Sequence, residues 1–284
     1  MSKTFVTPLR YPGGKARLGA WLAEVIKANG LQNGTYIEPY AGGAGAAVFL
    51  LFNNYVERIV INDADPVIYA FWRAVLNDNQ RLVELIRETP VNMDTWYTQR
   101  ALVDSGDTSD WTALGFAAFF LNRTNRSGII KGGVIGGKDQ TGPYKIDARY
   151  TKEDLIRRIE RLGSLNNRVQ LYKLDAMTLL EMKGIGINEK SLTYLDPPYY
   201  QKGSQLYRNH YKPDDHQEIA KKVMSMETPW LVTYDNCDPI NKLYQDANSV
   251  EFSLYYSTHT ERAKTSEVMF SGNIELPRAP TIKR

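Results

Sequence analysis

The stretch Asp196-Pro197-Pro198-Tyr199 brings together groups that could bind an amino-substituted base. It follows residues 192–195, an apolar and β-prone run, and an acid at the end of such a strand lies where open α/β sheets bind ligands. The two prolines remove backbone donors and prevent a helix from starting at once, which leaves the carbonyls of Asp196 and Pro197 free to accept hydrogen bonds. A carboxylate, free carbonyls and the ring of Tyr199 therefore predict a socket for an amine. On these residues alone, a proline-stiffened turn with a solvated Asp196 is an equal alternative.

A second candidate for chemistry is Lys15, which follows two glycines. The glycines let the backbone approach a ligand closely, and Lys15 could then pair with a carboxylate or a phosphate. A P-loop for a nucleoside triphosphate requires a glycine and a Ser or Thr where this chain has Leu9 and Ala16, so that class of site is disfavoured. A plain turn into the amphipathic helix of residues 16–29 is the alternative for Lys15.

Residues 35–51 read as a strand, a glycine-rich turn and a helix, the arrangement that seats an adenosine-containing cofactor. Gly43 and Gly45 keep side chains out of the site, and the helix N-terminus supplies free donors. The dinucleotide fingerprint is incomplete, because its third glycine would fall at Val48. The next strand ends at Asp63, twenty positions after Gly43, the spacing at which an acid accepts hydrogen bonds from ribose hydroxyls. These coupled signals favour an adenosine site over plain packing of a strand on a helix.

The alternation of strands and helices stops near residue 77 and resumes near residue 151, which predicts an insertion on an α/β core. Helical runs in this insertion precede a cationic, asparagine-bearing stretch and six glycines between residues 128 and 142. Arg and Asn read guanine and adenine edges in a major groove, and a glycine-rich loop can order on contact. The residues predicted to contact DNA here are Asn122, Arg123, Asn125, Arg126, Lys131 and Lys138. A solvated polar loop is the alternative.

The α/β pattern continues to the end of the chain. A helix is expected at residues 152–162, with strands at residues 169–174, 230–234, 250–256 and 267–270. Asp175, which follows the first of these strands, could meet the amino group of a cofactor's adenine or could instead cap the next helix. Residues 202–212 predict a loop that closes over the substrate. Arg262 and Lys264 could touch phosphates, although solvation is the default for such a pair.

Composition restricts the class of protein. The 284 residues are 43% hydrophobic and 24% charged, which is ordinary for a soluble globular protein. A net charge of +3 permits a nucleic-acid partner without requiring one, since a local basic face matters more than the total. The one cysteine, Cys237, excludes an internal disulfide framework and is expected to be buried. The sequence has no signal segment and no apolar run of ~18 residues, so we expect a soluble, cytoplasmic protein. Its histidines do not have metal-ligand spacing, so we expect no metal site.

Together these residues resemble the adenine-specific DNA methyltransferases of the Dam family. The motifs Tyr-Pro-Gly-Gly-Lys at 11–15, Glu-Pro-Tyr-Ala-Gly-Gly-Ala-Gly at 38–45, Asn-Asp at 62–63 and Asp-Pro-Pro-Tyr at 196–199 occur in that family's order. The resemblance covers nearly the whole chain. It implies a Rossmann-like α/β sheet of the S-adenosylmethionine-dependent methyltransferases in residues 1–76 and 151–284, with residues 77–150 as an inserted, mainly helical DNA-recognition domain.

The resemblance also implies the cofactor and its contacts. The cofactor would be S-adenosyl-L-methionine, with Tyr11, Lys15, Glu38, Gly43, Gly45, Asp63, Asp175 and Asp196 as its site. Tyr11 replaces the tryptophan that some members carry, which preserves an aromatic plane. The glycine-rich segment after Arg126 matches the family less well, which leaves the target sequence open.

The implied reaction moves a methyl group directly to the exocyclic N6 amine of an adenine that has flipped out of duplex DNA at a specific sequence. Asp196 and the Pro197 carbonyl would accept the amine hydrogens, and the base would stack on Tyr199, so that residues 196–199 are the catalytic motif. Three alternatives stay open: methylation of cytosine N4, for which Ser usually replaces the leading Asp; methylation of adenine in RNA; and a DNA-binding protein with a relic pocket. The expected partner is double-stranded DNA, with no membrane partner, and cleavage would require a separate restriction endonuclease. We expect a monomer.

Overall fold

The computed structural model describes residues 7–10, 15–200, 211–255 and 264–280, except for the side chains of residues 253–255 and 264–266. These ranges form a seven-stranded mixed sheet with helices between its strands. The strands are β1 (Thr35–Glu38), β2 (Arg58–Asn62), β3 (Val169–Tyr172), β4 (Ser191–Leu195), β5 (Trp230–Asp235), β6 (Asn248–Tyr255) and β7 (Lys264–Gly272). The helices are α1 (Gly19–Ala28), α2 (Gly45–Phe52), α3 (Pro66–Asn77), α4 (Asn79–Glu88), α5 (Met93–Ser105), α6 (Trp111–Thr124), α7 (Lys152–Gly163), α8 (Ala176–Glu181), α9 (Pro213–Met224) and α10 (Asp238–Leu243).

The order of the strands in the sheet is β3-β2-β1-β4-β5-β7-β6. The five strands from β3 to β5 are parallel, and β7 inserts antiparallel between β5 and β6. The 3-2-1-4-5 order is that of a Rossmann-like doubly wound sheet, with an antiparallel pair added at one edge. The predicted fold class is therefore confirmed.

The sheet has its topological switch point at β1, which pairs with β2 on one side and β4 on the other. In such sheets a crevice opens outside the carboxyl ends of the strands where the winding reverses. Glu38 ends β1 and Asp196 follows β4, so both acids lie at this crevice.

Helix α2 is buried along its whole length because its sequence, Gly-Ala-Ala-Val-Phe-Leu-Leu-Phe, has no polar face. Its first residue, Gly45, contacts the 3₁₀ turn at Lys15–Leu18, and a Cβ at this position would lie 2.7 Å from that of Ala16. The turn before α2 is tied to the N-terminal segment by Thr7 Oγ1, which donates a 2.6 Å hydrogen bond to the carbonyl of Gly43. Glycine therefore allows Lys15 to be held close to the turn that follows β1.

The helices of the predicted insertion share one hydrophobic core with the sheet. Helix α6 packs on α3, with the rings of Phe71 and Phe119 stacked at 6.0 Å between centroids. Its buried apolar residues belong to the same contiguous cluster as Tyr36 of β1 and the apolar residues of α2. The predicted boundary at residue 77 coincides with the end of α3. The division into a catalytic domain and an inserted domain stays a prediction.

In the part of the chain that the structure describes, no helix is both long and apolar enough to cross a bilayer. The same ranges contain no group of three or more His, Cys, Asp or Glu residues arranged for a metal ion. Cys237 is free and buried, as its sequence context predicts.

Candidate active site

Asp196 lies at the carboxyl-terminal edge of the sheet with 17% of its side chain exposed. Its Oδ1 atom is held from two sides, by Lys15 Nζ at 2.9 Å and by a 2.8 Å hydrogen bond from Thr233 Oγ1. Because the single proton of Thr233 points at the carboxylate, the hydroxyl of Tyr194 donates to Thr233 at 2.9 Å. Among the described residues, none donates to Asp196 Oδ2 or to the carbonyl oxygen of Pro197. The carboxylate is fixed through one oxygen and can accept a hydrogen bond through the other.

A buried ion network supports Asp196. Lys15 is 6% exposed, and its ammonium lies 3.4 Å from Glu267 Oε2 in addition to its contact with Asp196. The Tyr199 hydroxyl accepts from Lys15 at 3.2 Å and donates to Glu267 Oε1. Buried charges persist only when they are paired and hydrogen-bonded, and here two carboxylates share one ammonium, while the phenol donates to Glu267. The network fixes the lysine that in turn orients the Asp196 carboxylate.

Glu267 and Thr233 are residues to which the sequence analysis assigns no role, although it places both in strands. Strand β7 runs antiparallel to β5 with Glu267 opposite Asp235, which brings the early part of β7 to the edge where β4 and β5 end. The available signal was Glu267 itself, because an acid that opens an otherwise apolar run seldom becomes fully buried without a charged partner. Glu267 is 1% exposed.

The remaining residues of the catalytic motif are also mostly buried. Pro197 and Pro198 are buried, and Tyr199 is 8% exposed with its hydroxyl fixed in the ion network. The next backbone N–H, that of Tyr200, donates a 2.9 Å hydrogen bond to Asp235 Oδ1. The turn is thus anchored to β5 on both sides of the motif. Stacking of a base on Tyr199 stays a prediction.

The glycine-rich turn after β1 is fastened to the end of β2 by Asp63. One carboxylate oxygen accepts from the N–H of Gly42 and the other from that of Asp65, each at 2.9 Å. Trp72 Nε1 donates to the carbonyl of Gly42, also at 2.9 Å. Gly42 has a φ of 46°, which glycine adopts without the steric cost that a side chain would add. Asp63 therefore shapes the predicted cofactor turn, and its contact with a ribose stays a prediction.

Two acids at the switch point have raised pKa values. Glu38 is 5% exposed and accepts a 3.2 Å hydrogen bond from the N–H of Ala47, and burial raises its pKa to about 8. Burial also raises the pKa of Asp63 to about 7. Carboxylates that have lost hydration gain from a nearby cation and from hydroxyl donors. A sulfonium nucleoside offers both, so these residues fit S-adenosylmethionine.

Asp175 performs the second of the two roles that its position allows. Its Oδ1 accepts a 2.9 Å hydrogen bond from the N–H of Met177 and so caps helix α8. The residue is exposed, and the contact with a cofactor's adenine stays a prediction.

The predicted substrate-covering loop, residues 202–212, lies outside the described residues except for Tyr211 and Lys212. The hydroxyl of Tyr211 lies 2.7 Å from that of Tyr40, which follows β1. The ring of Tyr211 also packs on that of the buried His216, at 5.4 Å between centroids. The C-terminal end of this segment is thus attached to the strand that bears Glu38.

Asn122 and Asn125 do not fit the prediction that they contact bases, because both are fully buried. The amide of Asn122 pairs with the backbone of Arg10, accepting from its N–H and donating to its carbonyl at 2.8 Å each, and also donates to the carbonyl of Gly128. Asn125 accepts from Trp96 Nε1 and donates to two backbone carbonyls of the following loop. With their hydrogen bonds made internally, these amides shape the recognition segment and are not available to DNA.

The cationic residues predicted to contact DNA have different surroundings. Those that are exposed on the glycine-rich segment are Arg126, Lys131 and Lys138. Arg123 is half-buried, and its Nε donates a 2.7 Å hydrogen bond to the carbonyl of Arg149. Lys264 begins β7, where its side chain is not described, and Tyr11 and Arg262 lie outside the described residues.

Comparisons with known proteins identify a family for this chain. Residues 11–262 match the model of the D12 class N6 adenine-specific DNA methyltransferase family. The chain is 25% identical over 264 residues to the Type II methyltransferase M.MjaIII of Methanocaldococcus jannaschii, which covers 84% of this chain and 88% of the relative. It is also similar to a solved Pyrococcus horikoshii protein proposed to be an RNA methyltransferase, with 8% identity, a TM-score of 0.41, and coverage of 95% of this chain and 88% of that one. For the rRNA methyltransferase aviRa of Streptomyces viridochromogenes, the identity is 13%, the TM-score 0.34, and the coverage 88% and 83%. These TM-scores are low, so the assignment rests on the family match.

Proposed function

Because the chain belongs to the D12 class N6 adenine-specific DNA methyltransferase family, we propose that Asp196 and the Pro197 carbonyl receive the amine of the target adenine. The protein methylates adenine N6 in DNA and uses S-adenosyl-L-methionine, as members of this family do. The match favours this reaction over methylation of cytosine or of RNA, and the intact set of Lys15, Asp63 and Asp196 disfavours a relic pocket. The observation that carries the assignment of roles is the Asp196 carboxylate, with Lys15 and Thr233 on Oδ1 and no described donor on Oδ2.

The chain's own residues address the weakness of the nucleophile. An adenine amine is a poor nucleophile because its lone pair is delocalised into the ring. Asp196 Oδ2 accepts one amine hydrogen and the Pro197 carbonyl accepts the other, which draws the nitrogen towards tetrahedral geometry and increases its electron density. Since Lys15 and Thr233 already fix the carboxylate, it does not have to reorganise during the reaction.

S-Adenosylmethionine, when bound, supplies an electrophilic methyl group on a sulfonium. The residues that we propose for its site are Tyr11, Lys15, Glu38, Gly43, Gly45, Asp63, Asp175 and Asp196. Asp63 and Asp175 are suited to the hydroxyl and amine donors of an adenosine, and the raised pKa of Glu38 means that a nearby cation would favour its ionised form. Lys15 acts through its ion pairs with Asp196 and Glu267.

The substrate that we propose is a specific sequence in double-stranded DNA, in the cytoplasm. A target amine inside a duplex cannot reach Asp196, so the adenine must leave the stack, and Tyr199 is the ring on which it would rest. Arg123 and the exposed Arg126, Lys131 and Lys138 would contact the DNA. We expect the monomer to be active, and any restriction activity would belong to a separate endonuclease.

The test is transfer of tritium from labelled S-adenosylmethionine to unmethylated duplex DNA, followed by nucleoside analysis. We expect label in N6-methyladenine and, at saturating cofactor, a loss of at least about 10³-fold in kcat for the nearly isosteric Asp196→Asn. Asp246→Asn, an exposed change of the same chemistry, is the control and should retain full activity. Full activity in Asp196→Asn would refute the assigned role, and label in another base would refute the reaction.

A further inference from the structure

Four arginines converge beside the N-terminal segment at residues 7–10. We call Arg10, Arg123, Arg149 and Arg158 the arginine cluster. Arg10 precedes the segment that leads to Lys15, Arg123 lies in the last turn of α6, and Arg158 lies on α7. Arg149 is exposed, and the other three are partly accessible to solvent.

Backbone carbonyls accept hydrogen bonds from three of these guanidinium groups. Arg123 donates to the carbonyls of Arg149 at 2.7 Å and Pro8 at 3.4 Å. Arg158 donates to the carbonyl of Thr7 at 3.2 Å, and Arg10 to the carbonyl of the buried Asn125 at 3.4 Å. Each guanidinium carries five N–H donors, so each retains donors after these contacts. The fold therefore fixes the groups in position while leaving hydrogen-bonding capacity for a ligand.

The cluster carries more positive charge than its neighbours neutralise. Arg158 pairs with Asp154, which also faces the exposed Arg157 at 3.4 Å. Among the described residues, Arg10, Arg123 and Arg149 form no ion pair. Burial and the nearby positive charges of Arg10 and Arg158 lower the pKa of Arg123 to about 9. Burial, with Arg149, also lowers the pKa of Arg10.

Partly buried guanidinium groups that repel one another and have too few acids to neutralise them indicate a site for an anion. Guanidinium groups match phosphate oxygens in geometry and are the usual partners of phosphates at partly buried sites. We propose that the arginine cluster binds a phosphodiester of the DNA backbone outside the target base, an inference that rests on the proposed function. A contact of this kind positions the duplex without reading its sequence.

The arginine cluster lies beside the segments proposed to recognise and methylate DNA. Asn122 joins the backbone of Arg10 to that of Gly128, and a Cβ on Gly128 would lie only 2.0 Å from the Arg10 carbonyl. The cluster thus adjoins both the recognition segment and the chain that leads to Lys15. A phosphate bound there would anchor the duplex next to the residues that read it and the residues that methylate it.

The experiment measures binding of a fluorescent duplex at several KCl concentrations. Arg149→Gln and the double variant Arg10→Gln/Arg149→Gln are compared with Lys190→Gln, which removes one exposed charge from the amino-terminal edge of the sheet. A random-sequence duplex suffices, because each lost phosphate contact reduces the slope of log K against log[salt] by about 0.9 on any sequence. Because the cluster binds one phosphodiester, we expect the slope to fall by about 0.9 in the double variant and by up to that amount in the single variant, with roughly tenfold weaker binding near 0.15 M salt. Lys190→Gln should leave the slope unchanged.

Two further measurements separate the possible explanations. Cofactor affinity and melting temperature should match those of the unmodified protein, so that the loss is specific to DNA. An unchanged salt slope in the double variant would overturn the proposal, as would a cluster that binds inorganic phosphate while duplex binding is insensitive to the substitutions. Because the assay requires no methyl transfer, failure of the proposed reaction would appear separately, as a protein that binds DNA normally and never labels adenine.

Discussion

Replacing Glu267 with Gln tests whether the buried ion network organises the active site. The change keeps the shape of the side chain and an oxygen that can accept from Tyr199, but it removes the charge 3.4 Å from Lys15 Nζ. At an effective dielectric constant of about 20, two unit charges at that distance attract by about 5 kcal/mol. Removing one partner of a buried pair costs roughly 3–5 kcal/mol, and we expect the lower figure, about 3 kcal/mol, because Lys15 retains Asp196.

The assay has a stability part and a catalytic part. Urea denaturation should show the loss in the free energy of unfolding, and Glu251→Gln, an exposed change on the adjacent strand β6, should show none. In single-turnover methyl transfer, the rate constant should fall about 10–100-fold with little change in cofactor affinity, because Lys15 loses one of the two carboxylates that hold it. The double variant Lys15→Met/Glu267→Gln should lose at least about 1 kcal/mol less in free energy of unfolding than the two single variants lose in sum. Equal unfolding free energies for Glu267→Gln and Glu251→Gln, or additive losses in the double variant, would refute the network.

Three further changes test other parts of the site. The pKa values of Asp63 and Glu38 are raised to about 7 and about 8, so both side chains become ionised as the pH rises from 6 to 9, and affinity for the cationic cofactor should rise over that window. Titration calorimetry should show that this affinity depends less on pH in Glu38→Gln. An unchanged pH dependence would mean that Glu38 does not face the cofactor. Asn122→Leu leaves the buried Gly128 carbonyl and the partly buried N–H and carbonyl of Arg10 without their partner, so it should lower the free energy of unfolding by about 3 kcal/mol and weaken duplex binding. Normal DNA affinity in a folded variant would show that the amide does not shape the recognition segment. Asp175→Asn can still cap α8 and should lower the free energy of unfolding by less than about 0.5 kcal/mol. A clear loss of cofactor affinity in this variant would then identify a contact with adenine. Unchanged cofactor affinity would mean that Asp175 serves only as a helix cap.

The sequence was informative wherever the signal was local. The glycine-rich turn, Asp63 at the end of β2 and the acid after β4 all follow from the register of apolar strands and the residues that end them. The strands predicted at residues 169–174 and 192–195 match β3 and β4 within two residues. Asp175 shows the limit of such reasoning, since one carboxylate at a strand end satisfies both a cap and a ligand site, and local sequence does not choose between them.

Sequence reasoning failed where the direction of a polar side chain depends on distant chain. Asn122 and Asn125 have the residue types of base-reading side chains, yet Arg10 and Trp96 lie where their amides are fully satisfied inside the protein. The role of Glu267 was not predicted, because it too depends on a distant part of the chain. Its role appears only when β7 enters the sheet antiparallel beside β5, a pairing between strands that no periodicity in either strand specifies.

The antiparallel position of β7 has a consequence for how the protein is made. Lys15 and Tyr199 are 184 positions apart, and Glu267 lies a further 68 positions along the chain. During synthesis, the predicted cofactor-binding turn and Asp196 leave the ribosome well before β7 is available to complete the ion network. Contacts of such long range are also slow to form, because the chain must first lose the entropy of closing a large loop. A nascent chain that stops before β7 should thus lack the carboxylate that holds Lys15 beside Asp196, so that full methylation activity requires β7 to enter the sheet.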